Sequence, residues 1–209
     1  MLPWRNWFHC SGSTYGTWLR GDPRGWRSRH HREHVEGDYK EPPPPGKYDE
    51  LHERSKRLMK HPEVFLDRKH RVIACREMAQ SLLRHGVELI DLSVSAAHYH
   101  ILARFTRVGE ERSPGIRIPG LPKDKKIDTY EILKRIARHY VGIAKKDSAR
   151  ALSDAGLVAP GGVWTVRGSI RPIEDRGHQL RVAQYVRDHA PGGAAIWSRI
   201  GAEKGLAAS

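Results

Sequence analysis

Cysteine is scarce in this chain. Its two cysteines, Cys10 and Cys75, lie far apart and form no C-x-x-C spacing. That argues against a disulfide framework and a cysteine-rich zinc site, and predicts two reduced, buried thiols. Long apolar runs are missing as well, since none approaches the ~18–20 residues a membrane span requires. The opening stretch MLPWRNWFHCSGSTYG has no apolar segment of the kind a secretory signal carries. With neither feature, the expected location is cytoplasmic, with no membrane partner. Acidic residues are in the minority, with 24 Asp and Glu against 37 Lys and Arg, for a net charge of +13. Such charge favours a polyanion, because a phosphate backbone rewards basic groups through counterion release. Adherence to a membrane surface ranks lower, as no long basic amphipathic helix with an aromatic face is present.

A length of 209 residues suits one domain with extensions, or at most two small ones. No internal repeat is visible. Residues 1–25 mix aromatics with glycines and read as a first strand followed by loops. Residues 26–47, WRSRHHREHVEGDYKEPPPPGK, are polar, charged and closed by a run of prolines. They read as an extended, basic, Pro-rich excursion rather than core. His30 and His34 within it have helical i,i+4 spacing. A solvated basic face outweighs a metal site there, because no nearby ligand completes the set.

Residues 48–192 carry the periodic patterns of a folded domain, and residues 193–209 read as a C-terminal tail. In KYDELHERSKRLMKHPEVFL a short helix is ended by Pro62. Asp67 is placed to cap a second helix, on which Val72, Ile73, Cys75, Met78, Ala79, Leu82 and Leu83 recur at helical spacing. Gly86 follows where a C-terminal glycine is expected. VELIDLSVSA and HYHILARF then predict an antiparallel hairpin turning near Ala96 and Ala97. After a Pro- and Gly-rich loop, a helix starts near Asp128 and Thr129 and gathers Ile132, Ile136, Ala137, Tyr140 and Ile143 on one side. GVWTVRGSIRPI reads as a strand pair, or as one strand with an edge proline at Pro172. DRGHQLRVAQYVRDH reads as a helix that stops before Pro191. This order predicts an α+β fold, an antiparallel sheet covered by helices.

Two histidines interrupt the apolar hairpin strand. In a β-strand, residues i and i+2 share a face, so His98 and His100 point the same way, about 6–7 Å apart at a rise of ~3.3 Å per residue. Both imidazoles then reach one divalent ion, or both point to solvent. Tyr99 turns to the opposite face and can pack against a helix.

On these residues the chain resembles the HUH endonucleases, named for His–hydrophobic–His on a strand. In particular it resembles the single-tyrosine transposases of insertion sequences and their REP-associated relatives. HYHILARF is similar to the family's second hairpin strand, STYGTWLRGDPRG to the opening of one branch, and LVAPGGVWTVRGSIRPI to its Trp-led strand before the final helix. The resemblance covers most of the chain. The family commonly has Asn or Asp before the first histidine, where this chain has Ala97. That departure bears on the turn, or on an outer hydrogen bond, rather than on the ligands. The resemblance implies a ferredoxin-like fold, a Mg²⁺ or Mn²⁺ cofactor, single-stranded or hairpin DNA as partner, association with the nucleoid and, in many members, a homodimer.

It also implies a nucleophilic tyrosine on a late helix with a polar ligand one turn on. QYVRDH supplies Tyr185 and, at i+4 on the same helix face, His189. The implied ligand set is His98, His100 and His189, with Asp188 as the alternate. The implied reaction is cleavage and rejoining of DNA through a 5′-phosphotyrosine, as in transposition. Read from the residues alone, Tyr185 is equally a half-buried helix tyrosine beside Leu180 and Val182, and Tyr140 is a competing nucleophile. Lys134, Arg138, Lys145, Lys146 and Arg150 form a basic helix face that can track a phosphate backbone, and Trp164 or Trp18 can stack on a base. A solvated face and core tryptophans are the alternatives. Two other functions remain open: a domesticated hairpin-DNA binder without element mobility, and a basic nucleic-acid-binding protein that is no enzyme.

Overall fold

The alternating segments at the centre of the sequence become β2 (Glu88–Val94) and β3 (His98–Arg104), an antiparallel hairpin. Strand β1 (Trp7–Ser13) pairs antiparallel with the other side of β3. The edge strands are β4 (Ser169–Pro172) on β1 and β5 (Ala195–Ser198) on β2. The sheet therefore runs β4-β1-β3-β2-β5. Among the described residues four helices accompany it: α1 (Asp49–Arg57), α2 (Arg68–Arg84), α3 (Tyr130–Asp154) and α4 (Arg176–Arg187). These elements come from a computed structural model that describes residues 4, 6–24, 26, 43–106, 130–158, 162–166 and 168–201. The expected His30 and His34 pair, most of the Pro-rich excursion and the predicted start of α3 lie outside the described residues.

The fold is α+β with a five-stranded antiparallel sheet, as the sequence pattern predicts. Its strand–helix–hairpin–helix–strand core is consistent with the ferredoxin-like type. Periodicity divides the sheet into two faces. On one, Phe8, Cys10, Leu92, Tyr99, Ile101 and Ala103 pack against Ala74, Met78 and Leu82 of α2 and Ile136, Tyr140 and Ala144 of α3. On the other, Trp7 and Leu102 meet Val182, Ala183 and Val186 of α4. Helices α2 and α4 are each started by an aspartate, Asp67 as the sequence suggests. Asp67 accepts a hydrogen bond from the backbone N–H of His70, and Asp175 one from that of His178. Gly86 takes the left-handed φ of +71° just past α2. Gly12 lies directly across from Tyr99, and a Cβ there would sit 2.7 Å from the phenol oxygen. The bulky middle residue of HYH thus fits the core only because its neighbour has no side chain.

Several expectations need correction. The tail assigned to residues 193–209 contains β5, which the short, glycine-flanked AAIWSR segment conceals. Val72 and Leu83 sit on the shoulder of the α2 stripe and are 53% and 45% exposed. Helix α1 ends at Arg57, well before Pro62. Of the two readings of GVWTVRGSIRPI, the single strand with an edge proline holds: β4 is an edge strand ending at Pro172, and an isolated bridge joins Thr14 and Trp164. Cys10 and Cys75 are free and buried, as expected. Burial raises both thiols far above the usual range, Cys75 to about 12. None of the described helices is long and apolar enough to cross a membrane.

Candidate active site

Register places the two histidines. Ser11 and Ser13 of β1 lie opposite His100 and His98, and Leu102 continues the same face of β3 under α4. His98 and His100 therefore point to the α4 side, with ring centroids 5.0 Å apart. The hairpin turn ahead of them has no polar side chain at Ala97, and Ser95 ties it together. Its Oγ accepts the N–H of His98 at 3.1 Å, and its own N–H donates to the carbonyl of His98 at 2.8 Å. The Ala97 carbonyl is held by the Thr14 N–H and by the hydroxyls of Thr14 and Thr17.

Helix α4 brings the other half. Gln179, Val182, Ala183 and Val186 are its buried stripe. Tyr185 and His189 flank that stripe one turn apart, His189 lying just beyond the last helical residue. The His189 Nδ1–H donates to the Tyr185 carbonyl at 2.9 Å, which leaves its Nε2 lone pair free. Ligand nitrogens of His98, His100 and His189 all lie within 4.8 Å of one another, a grouping that no other His, Cys, Asp or Glu residues reach among the described residues. Such a set can hold one divalent ion, and imidazole nitrogens suit Mn²⁺ or Zn²⁺ better than Mg²⁺, which prefers oxygen. The Tyr185 ring stands edge-on to His189 at 4.8 Å and to His100 at 5.0 Å, and Tyr185 remains 47% exposed. The competing Tyr140 is buried in α3, on the opposite side of the sheet. Asp188 points away into a hydrogen bond from Gln184 and does not join the cluster.

Three contributors escape sequence reasoning. His9 on β1 faces the same side, its Nε2 3.0 Å from His100 Nδ1 and its ring 5.9 Å from that of Tyr185. Arg171 on β4 is paired with His9 across the sheet and exposed. Asp91 of β2, fully buried, receives the guanidinium of Arg187 at 2.9 Å, tying the last turn of α4 to the sheet. No motif marks these residues; only the register joins them to the site.

Burial, then the charges of His9, His98 and His189, pushes His100 down to about 3. Burial, then Arg171, His178 and His189, brings His9 down to about 4. Burial, then His189, also lowers His98. These three rings are thus neutral at pH 7, and the sign of the pH effect follows. Below ~6.5 the unfolded chain takes up protons that the folded chain refuses, so stability falls with falling pH until the folded values are reached. Each of His9 and His100 contributes a loss of about 1–2 kcal/mol by pH 5. In EDTA, calorimetry is expected to show Tm dropping by about 5–10 °C between pH 7 and 5. A flat profile would contradict the burial of these rings.

The expected DNA contacts divide differently. Lys145, Lys146, Arg150 and Trp164 line a cleft of about 460 Å³ beside α3, on the sheet face away from the histidines. Trp164 is buried, edge-on to Tyr99, and donates from Nε1 to Ser148, so the core-packing alternative describes it. Lys145 is turned inward to the Thr165 carbonyl, and burial lowers its pKa. Lys134 lies 5.3 Å over the Tyr130 ring, and Arg150 pairs with Asp154. Arg138 and Lys146 are exposed. Trp18 is half-exposed with Arg24 over its ring. No protein family, curated protein or solved structure matches this chain.

Proposed function

We propose that this chain is a metal-dependent, single-tyrosine HUH-type endonuclease and strand transferase acting on single-stranded or hairpin DNA, as in transposition. The observation that carries this reading is one half-exposed phenol set against three imidazoles whose ligand atoms lie within 4.8 Å of each other. The four residues come from two elements, β3 and the end of α4, separated by more than eighty positions. Core packing alone gives no reason to gather them.

A divalent ion held by His98, His100 and His189 supplies Lewis-acid polarisation of a non-bridging phosphate oxygen when bound. The protein does the rest. Tyr185 Oη attacks phosphorus and forms a new P–O bond, and its proton passes to the solvent that reaches this half-exposed side chain. The bond from phosphorus to the 3′-oxygen breaks, and that oxygen leaves as a 3′-hydroxyl. The product is a 5′-phosphotyrosine that retains the bond energy, so another 3′-hydroxyl can reverse the step and join strands. Arg171, exposed on the same face, is a cation placed to meet the flanking backbone. The α3 basic face lies across the sheet, so its contribution is to DNA held behind the catalytic face.

The test is incubation of the full chain with hairpin-bearing single-stranded DNA and Mn²⁺. A DNA adduct that survives denaturing electrophoresis, requires the metal and maps to Tyr185 is expected. DNA that is shifted on a native gel but never joined to protein would leave only the binding reading.

A further inference from the structure

We propose that His9 is a positioning residue for the metal centre, accepting a hydrogen bond from His100 Nδ1–H and so holding His100 in the tautomer whose Nε2 faces the ion. The inference rests on the metal site proposed above and adds a residue to it.

The geometry leaves little choice of arrangement. His9 Nε2 lies 3.0 Å from His100 Nδ1, and the two rings are nearly parallel, with centroids 5.2 Å apart and an interplanar angle of 29°. With Nδ1 engaged, His100 has only Nε2 to offer towards His98 and His189. A neutral imidazole carries one proton, so a free Nε2 lone pair requires that proton on Nδ1. His9 must then present its own Nε2 lone pair and keep its proton on Nδ1. The reverse arrangement, with His9 Nε2–H donating, moves the His100 proton to Nε2 and closes that ligand position. His189 is fixed in the same sense by a different acceptor, the Tyr185 carbonyl. Two ligands thus have their outer nitrogens tied down, one by the backbone of α4 and one by a side chain of β1. Partners of this kind orient a ligating ring and raise its basicity.

The fold also argues against a casual contact. His9 lies on β1 opposite Leu102, two residues along the strand from the Ser11 that pairs with His100, so its side chain reaches His100 diagonally across the sheet. It is partly buried between Arg171 and the Tyr185 ring.

The experiment compares wild type, His9→Gln and His9→Phe. Gln places an amide oxygen near the Nε2 position, whereas Phe keeps the ring and loses the acceptor. Mn²⁺ titrated into the purified, metal-free full chain is expected to bind His9→Phe about 10–100-fold more weakly than wild type, and His9→Gln within a few-fold of it. Long-range ¹⁵N–¹H spectra of the metal-free chain give a second readout. They are expected to show His100 protonated on Nδ1 in wild type and His9→Gln, and shifted towards Nε2–H in His9→Phe. Wild-type Mn²⁺ affinity in His9→Phe, or an Nε2–H His100 in the wild type, would overturn the inference and leave the proposed function standing. No Mn²⁺ binding by the wild type would remove both. The wild-type spectrum decides the tautomer even where His9→Phe does not fold.

Discussion

Tyr185→Phe is expected to lose covalent DNA adduct formation by at least about 10³-fold, while Mn²⁺ affinity and Tm stay close to wild type. The separation follows from where the phenol stands. The ring makes its edge-on contacts with His9, His100 and His189 through carbon, and these survive in phenylalanine. Tyr185 is 47% exposed, and no hydrogen bond to its phenol oxygen is found among the described residues. Deleting that oxygen therefore costs the fold no more than about 0.5 kcal/mol. Nor does it touch the ligand set, because His189 is oriented by the Tyr185 backbone carbonyl, which the substitution keeps. Only the proposed nucleophile is lost. Tyr140→Phe is the matched control, and it is expected to keep the adduct, since Tyr140 is buried on the opposite face of the sheet. The assay is electrophoresis of the denatured reaction with labelled hairpin DNA, alongside Mn²⁺ titration of each variant. An adduct retained in Tyr185→Phe would remove this tyrosine as nucleophile.

What was legible beforehand is what depends on spacing within one element. The i,i+2 alternation of His98 and His100 and the i,i+4 spacing of Tyr185 and His189 are local properties of a strand and a helix. The structure keeps both and sets them against each other. His9 was not legible, because a histidine near the start of a strand acquires a role only through pairing with residues some ninety positions away. Arg171 and Asp91 were hidden in the same way, by register. The basic face of α3 shows the opposite failure. Its charge pattern was readable, but which side of the sheet it lies on was not, and that side turns out to be the one without the histidines. Ala97 offers no polar side chain to the turn, yet Ser95, two positions earlier, accepts the His98 N–H. A turn needs an acceptor at a place in space, which more than one sequence position can provide.

The Asp91–Arg187 pair carries the second large effect, on stability rather than chemistry. Asp91 has no solvent exposure, and burial holds its carboxyl above the usual range even though Ser198 and Arg187 pull it down. Arg187→Leu removes the cation and leaves a buried carboxylate uncompensated, a change worth about 3–5 kcal/mol in a dry site. The arginine side chain is 34% exposed, so water softens the loss, and about 2–4 kcal/mol is expected. For a chain of this size that lowers Tm by about 5–12 °C, readable by calorimetry. Asp91→Leu combined with Arg187→Leu is expected to recover most of the loss, because the penalty lies in the orphaned charge and not in the missing attraction. If the double variant is as unstable as Arg187→Leu, the pair acts through packing instead. Arg187 also lies between Tyr185 and His189 in sequence, so loosening its anchor frees the turn that carries both. If the proposed site binds Mn²⁺, the ion at about 100 times its Kd is expected to restore about 2.7 kcal/mol to the variants. The ion would then bridge His98 and His100 on the sheet to His189 at the end of α4. The proposed metal and the buried ion pair would thus be two ties across the same interface, and each is expected to matter most when the other is cut.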